Sequence, residues 1–298
     1  GGGLIGIEMA EMLHSRNIPV TMLVREDHFW DVVLPLEEAA MIDRHILEHG
    51  IDLRLSTEIT EILDDGSGKA RAVRTKEGEE ISCEFVGLTV GVSPHVDFLK
   101  SSGLDIEKGI LVDEYLQTSV PDVYAVGDCA QLRKPQPGRK PIEAVWYTGR
   151  MMGETVAQTI TGNKTPYDQG VWFNSAKFFD IEYQTYGTVT PKRADHENDF
   201  YWEHADGRIC LRFVFDKETN RLIGVNNFGI RVRHEVIENW IKSEKTVTYA
   251  LEHMPDANFD PELYKSHEEA ILQKFNEEHG TQLKPKKKNW KRILELVS

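Results

Sequence analysis

The chain opens Gly1-Gly2-Gly3-Leu4-Ile5-Gly6 and runs directly into Ile7-Glu8-Met9-Ala10-Glu11-Met12-Leu13, whose apolar residues recur at helical spacing. A glycine turn feeding a helix restricts the possible folds more than any other feature of the sequence. In a turn of the form G-x-G-x-x-G, Gly1 permits the tight bend, Gly3 lets a diphosphate approach the backbone, and Gly6 lets the helix pack closely on a strand. Leu4 and Ile5 lie between these glycines, at the helix end where unpaired N–H donors and a partial positive charge favour phosphate. Pro19-Val20-Thr21-Met22-Leu23-Val24 has the short, β-branched composition of a buried parallel strand. The strand that leads into the turn is expected before Gly1. A flexible glycine tail is the bland alternative, and the helix and strand that follow argue against it.

The residue facing the adenosine ribose belongs at the end of that second strand, about 20 residues past the glycines. The chain there is Val24-Arg25-Glu26-Asp27. Val24 is apolar where an acid would accept from the 2′-hydroxyl of NADH, whereas Arg25 is able to form a charge-assisted fork with the 2′-phosphate of NADPH. The lean is to NADPH; a solvated Arg25 balanced by Glu26 is the alternative.

Further along, residues 36–49 place Leu36, Ala39, Ala40, Ile46 and Leu47 at near-helical spacing, with Gly50 as a C-terminal cap. Residues 51–86 alternate like an antiparallel meander around turns at 64–68 and 76–78, closing on an apolar run at 85–88. Residues 103–131 suggest short strands, the last at Val123-Tyr124-Ala125-Val126, stopped by Gly127-Asp128. A basic, Pro-rich loop (133–140) precedes a helix over 144–160 that contains Gly149 and Gly153, and residues 162–166 form a break. Beyond it, residues 176–228 suggest an antiparallel sheet, followed by helices over 231–253 and 261–279.

A net charge of −14 argues against a nucleic-acid partner, because phosphate backbones are held by clustered cations. No apolar stretch approaches the roughly 20 residues of a transmembrane helix. Cys83, Cys129 and Cys210 are far apart, with neither a disulfide framework nor zinc spacing, so a cytoplasmic setting is expected. His45 and His49 stand four apart on the second helix, but the sequence suggests no third ligand, and no metal is expected. The basic cluster 284–292 is expected to be a solvated face with Trp290 docked on the body; a docking site for an acidic partner or a membrane surface is second.

Together the motifs resemble the two-dinucleotide-fold flavoproteins of the pyridine-nucleotide-disulfide oxidoreductase type. The opening turn and helix are similar to that family's NAD(P)H fingerprint. Leu88-Thr89-Val90-Gly91-Val92-Ser93-Pro94 is similar to its returning segment between domains, and Val112-Asp113, Thr118 and residues 123–128 to its second FAD motif. The resemblance implies that Gly91, Gly127 and Asp128 lie against FAD. It also implies that Glu143 and Ala144 lead into a helix whose N-terminus faces the flavin and stabilises negative charge on the reduced ring. Glu8 matches an acid that the family keeps near the nicotinamide.

The FAD adenine site and any redox-active cysteines of the family precede the residues present, and Cys129 is read as a small buried residue. The His-Pro-Thr base of the disulfide reductases has no match. Leu251-Glu252-His253-Met254-Pro255 with Phe259-Asp260-Pro261 is instead similar to the branch of NADH oxidases, coenzyme A disulfide reductases and nitrite-reductase flavin subunits, with His253 structural.

The expected architecture is thus α/β. It comprises a Rossmann-like NAD(P)-binding domain lacking its first strand (1–88), the C-terminal part of an FAD-binding domain (89–166), and an α+β interface or dimerisation domain (167–298). The expected activity is hydride transfer from NAD(P)H to FAD and on to oxygen, a disulfide or a redox protein, in a homodimer; this part alone is expected to bind FAD poorly and to be inactive. A non-catalytic NAD(P)-sensing or electron-transfer module is the rival.

Overall fold

Helix α1 (Leu4–His14) starts as the glycine run ends, with Gly3 in extended backbone as its N-cap. Ile7 and Ala10 form its buried stripe. Strand β1 (Thr21–Leu23) follows, then helix α2 (Leu36–Glu48) and strand β2 (Asp52–Arg54), which pairs in parallel with β1. This is the βαβ step read from the sequence, and Gly50 adopts the left-handed backbone of a helix end. The buried face of α2 is the expected one only in part, with Ala39 and Ile46 fully buried. Leu36 and Leu47 point to solvent, while Met41, Ile42 and even Glu38 are fully buried. The structure, a computed structural model, describes residues 1–259 and 265–297.

The meander appears as β3 (Ile59–Asp64), β4 (Ala70–Thr75) and β5 (Glu80–Ser82), antiparallel in that order. The apolar run at 85–88 forms no ladder. Its Phe85 and Gly87 line a cleft of about 1100 Å³ together with Val20 and Met22.

Residues 92–174 form a compact unit of their own (Val92–Asn174). Its parallel pair is β6 (Ile110–Val112) with β7 (Ala130–Leu132), and helix α3 (Trp146–Ile160) packs on the turn at residues 127–129. The strand expected at 123–126 is instead one arm of a narrow hairpin: Thr118 N–H donates to the Val123 carbonyl and Ala125 N–H to that of Leu116, and the regular strand follows Gly127-Asp128. Gly149 inside α3 faces the turn, where a Cβ would make ordinary contact with Gly127 Cα at 3.4 Å.

The last part comprises β8 (Phe173–Phe178), β9 (Ile181–Gly187), β10 (Glu197–Glu203), β11 (Cys210–Asp216) and β12 (Leu222–Phe228), in the spatial order β10-β11-β12-β9-β8. Helices α4 (His234–Lys242), α5 (Val247–Glu252), α6 (Met254–Ala257), α7 (Glu268–His279) and α8 (Trp290–Val297) follow. The single helix expected over 231–253 breaks because Glu244 takes a left-handed backbone and Thr246 caps a new helix by accepting from Tyr249 N–H. The start of the helix expected at 261 lies outside the described residues, as do Asp260 and Pro261. In the basic tail, Ile293 rather than Trp290 is the buried anchor, and Trp290 stays largely exposed beside Arg233 and Lys288.

Segments Gly1–Gly91 and Ser175–Ser298 make up a second compact unit. Five of the six residues in Cys210-Leu211-Arg212-Phe213-Val214-Phe215 are apolar, and all six are buried, as suits a strand covered on both faces. One face of the sheet carries Leu211, Phe213 and Val225 against Ile237, Trp240 and Ile271. The other packs Phe178, Tyr183, Cys210 and Phe228 into one core with Ile7, Ala10, Phe29, Ile42 and Ile46.

Candidate nucleotide-binding site

The four glycines of the opening turn are not equivalent. A Cβ at Gly1 would lie 2.2 Å from the Thr89 carbonyl oxygen, at Gly2 2.7 Å from Val24 Cγ1, and at Gly6 2.3 Å from the Gly1 carbonyl oxygen. Each of these contacts is closer than any side chain tolerates. Gly3 is the exception, because a Cβ there meets nothing within 4 Å. Three glycines therefore serve packing, and Gly3 alone faces open space. Gly2 and Thr89 were not singled out from sequence; the only signal for Gly2 was an extra glycine inside the motif.

Gly3 is also the residue from which α1 departs. The first intrahelical bond runs from Ile7 N–H to the Gly3 carbonyl, no side chain caps the helix, and the first turn contains no acid. The amides of Leu4, Ile5 and Gly6 precede that bond, so a helix end with partial positive charge adjoins the open side of Gly3. Ile5 and Glu8 are exposed, three residues apart on α1.

Val24, packed on Gly2, places Arg25 next to the turn. Arg25 is exposed and directs its guanidinium at Glu26, with Nη2 2.7 Å and Nε 3.1 Å from Oε1. Hydrogen bonding to Arg25 holds the Glu26 carboxyl below the usual carboxylate range. The solvated pairing weighed as the alternative is therefore the one the structure contains. Gly91 is exposed with φ 105.

In the Val92–Asn174 unit, Gly127 (φ 75) turns the chain so that Asp128 is exposed beside α3. That helix has no side-chain cap and no acid in its first turn. Ala144 is exposed just ahead of it, but Glu143 is buried. Both Glu143 oxygens are gripped by Arg139, each at 2.7 Å, while Arg139 also donates to the carbonyls of Gln169 and Gly170. Thr148 Oγ donates to the Glu143 carbonyl at 2.9 Å. Glu143 thus fixes the start of α3, and its carboxylate points inward. Arg139 lay in what the sequence showed only as a basic loop.

Of the remaining candidates, Cys210 is buried, whereas Cys129, expected to be buried, is only half-buried. Burial pushes the Cys210 thiol well up, and the Cys129 thiol sits 3.6 Å from the Val126 carbonyl. His253 stacks on Tyr249 and its Nδ1 lies 2.8 Å from the Tyr249 carbonyl. No helix of the described residues is long and apolar enough to cross a membrane.

The packed glycine turn, the parallel step behind it and the Gly-Asp turn beside α3 occur in the order that the sequence motifs require. The chain belongs to the pyridine nucleotide-disulphide oxidoreductase family, which residues 1–157 match. It is similar to the ferredoxin–NAD(+) reductase component of the p-cumate 2,3-dioxygenase system of Pseudomonas putida, 28% identical over 83% of this chain and 58% of that protein. It is also similar to an NAD(P)H coenzyme A polysulfide/persulfide reductase of Pyrococcus horikoshii, 31% identical over 77% of this chain and 54% of that one. Its fold matches a solved NAD-dependent persulfide reductase from A. fulgidus with a TM-score of 0.77, covering 94% of this chain and 55% of that chain at 23% identity. The chain therefore spans a little over half the length of these relatives.

Proposed function

We propose that this chain supplies the NAD(P)H site and the interface part of an FAD-dependent oxidoreductase that passes reducing equivalents to a redox protein or a sulfur acceptor. The observation that carries the reading is the contrast between Gly3 and its neighbours: three glycines are filled by packing, and the fourth leaves a backbone face open at an uncapped helix end. A dinucleotide diphosphate uses such a face. The two acceptor classes are those in the names of the similar reductases.

FAD, when bound, supplies the hydride-accepting chemistry. The Val92–Asn174 unit suits it: Gly127, Asp128 and Ala144 border an uncapped helix N-terminus whose position is held from behind by the Arg139–Glu143 pair. Asp128 would accept hydrogen bonds from the cofactor's hydroxyls, and the α3 amides would offset negative charge. On the nicotinamide side, α1 would hold the diphosphate and exposed Glu8 would orient the nicotinamide end. Arg25 would leave Glu26 for a 2′-phosphate, which favours NADPH. The unpaired cysteines suit a reducing compartment, and a homodimer through residues 167–298 rests on the family resemblance.

The test is Gly3→Ala. The added methyl meets nothing in the folded chain, so the thermal transition should stay in place while NAD(P)H affinity falls at least tenfold by calorimetry. Unchanged affinity would remove the basis of the assignment.

A further inference from the structure

We propose that His45, His49 and Asp180 form a site for one divalent transition-metal ion, with zinc the best match, that clips α2 to the turn between β8 and β9. The two histidines are one helical turn apart, and the fold supplies the third ligand that the sequence could not: the ligand atoms of the three side chains lie within 4.8 Å of one another. His49 Nε2 is 3.5 Å from Asp180 Oδ1. Ligand atoms around a tetrahedral zinc ion lie roughly 3.4 Å apart. His45 Nε2 is closer, at 2.6 Å, and opening that gap requires only rotation of the exposed Asp180 side chain.

Three further observations favour a cation over a plain ion pair. His45 is only 1% exposed; its Nε2 faces Asp180 Oδ1 at 2.6 Å, and its Nδ1 has no hydrogen-bond partner, with Glu48 Oε2 3.9 Å away. A buried imidazole facing a carboxylate at that distance and otherwise unpartnered suits a cation shared between the two. His49 is already oriented as a ligand. Its Nδ1 lies 2.9 Å from the His45 carbonyl, which places the proton on Nδ1 and leaves the Nε2 lone pair facing Asp180. Its ring is fixed by stacking on Phe179 at 4.3 Å. Finally, both histidines lie at the C-terminal end of α2, the end whose carbonyls attract positive charge.

Among the described residues, Arg208 is the Lys or Arg that pairs with Asp180. It approaches the other carboxylate oxygen, Asp180 Oδ2, at 3.7 Å and pairs with Glu48 at 3.2 Å, so Oδ1 remains available and the Arg208 charge is largely met. Two imidazoles and one carboxylate leave a fourth position for water, a set that suits zinc or cobalt and not magnesium, which prefers oxygen ligands.

The experiment is titration of the purified, untagged, EDTA-treated protein with Co²⁺ and Zn²⁺, read by the visible absorption of tetrahedral cobalt and by the thermal transition of the unit that contains α2. The expected result is one ion per chain and a transition raised by several degrees with Zn²⁺ but not Mg²⁺. Both effects should be lost in His49→Gln and in Asp180→Asn, whose side chains reach solvent and whose metal-free folding should be little changed. Absence of saturable binding, or binding that persists in both variants, overturns the proposal.

Discussion

Arg212→Leu is expected to be among the most damaging single changes in the larger unit, and the reason lies in one buried carboxylate. Glu38, in the first turn of α2, is 0% exposed. Its Oε1 accepts from Arg212 Nε at 2.9 Å and its Oε2 from Asn226 Nδ2 at 2.7 Å. Arg212 further donates to Glu37 at 2.7 Å and to Asp199, and its guanidinium lies 4.7 Å over the Tyr201 ring. Tyr201, Arg212, Asn226 and Thr185 form one row across four strands, so the cation is held by the sheet and the anion by the helix. Removing one member of such a pair leaves an uncompensated buried charge, at a cost of about 3–5 kcal/mol. For a unit of roughly 200 residues this is a fall of about 6–20 °C in the melting temperature.

The pH dependence gives the sharper test. Burial pushes the Glu38 carboxyl up to about 7 even with Arg212 beside it. A carboxyl whose folded pKa lies above its unfolded value contributes stability that is complete below the ordinary carboxylate range and is lost as pH rises through 7, here roughly 3 kcal/mol. Carboxylates held low, such as Glu26 and Asp180, act in the opposite direction, so the comparison must be with Glu38→Gln, which removes this one titration. Wild type measured against Glu38→Gln should lose stability between pH 5 and pH 8. The penalty of Arg212→Leu should be larger at pH 8, where Glu38 must either ionise unpaired or take up a proton. Calorimetry at the two pH values decides it. A pH-independent difference between wild type and Glu38→Gln, or a loss under about 1 kcal/mol in Arg212→Leu, would refute the reasoning.

In Gly6→Ala the methyl would collide with the Gly1 carbonyl; overpacking of this kind costs about 1–3 kcal/mol, so the melting temperature should fall where that of Gly3→Ala does not. Arg25→Ala should weaken NADPH by about tenfold or more and leave NADH unchanged, as fluorescence titration would show; equal effects on both would place Arg25 outside the ribose site. Arg139→Ala should strand the Glu143 carboxylate and destabilise the Val92–Asn174 unit by about 3–5 kcal/mol, measured as a lowered first transition on urea unfolding.

Backbone rules that act over a few residues were legible from sequence. The glycine turn, α2 with Gly50 behind it, the meander around its turns and the long sheet all follow from period and punctuation, and the structure contains them. What failed depended on partners distant in sequence. Residues 85–88 are an apolar run, the expected close of the meander, yet its last strand is β5 at Glu80–Ser82, and the run joins no ladder among the described residues. Ala39 and Ile46 of the expected α2 stripe are buried, but Leu36 and Leu47 are not, because the stripe is set by a core with Phe178 and Cys210, more than 120 residues away in sequence. Glu38 looked like any surface acid of a helix N-terminus, and nothing nearby in sequence announces Arg212. Asp180 is invisible as a partner of His45 and His49 for the same reason. The motif residues were found by their spacing, but which of the glycines are filled by packing and which is open required the positions of Thr89 and Val24.

The same long-range packing bears on how the proposed site would work. The sheet of residues 173–228 holds the glycine-turn segment by three separate means: the aromatic core around Phe178 and Phe228, the Arg212 network on α2, and an ion pair from Lys177 on β8 to Glu11 on α1 at 2.7 Å. The first acts on both α1 and α2, the second on α2, and the third on α1, the helix whose N-terminus carries Gly3. A rotation of α1 and α2 away from the sheet would expose Glu38 and the fully buried Phe29, Ile42 and Ile46 together. Exposing the three apolar side chains alone costs about 1.5–3 kcal/mol each, far above thermal energy. The glycine turn therefore sits on a rigid support, and any mobility needed to admit a dinucleotide has to come from its exposed rim, where Ile5, Glu8 and Arg25 meet solvent. Substitutions at Arg212 or Lys177, none of them near the turn, should accordingly alter dinucleotide affinity only when they loosen the fold enough to shift its melting point; an affinity change without such a shift would show that the support is not rigid.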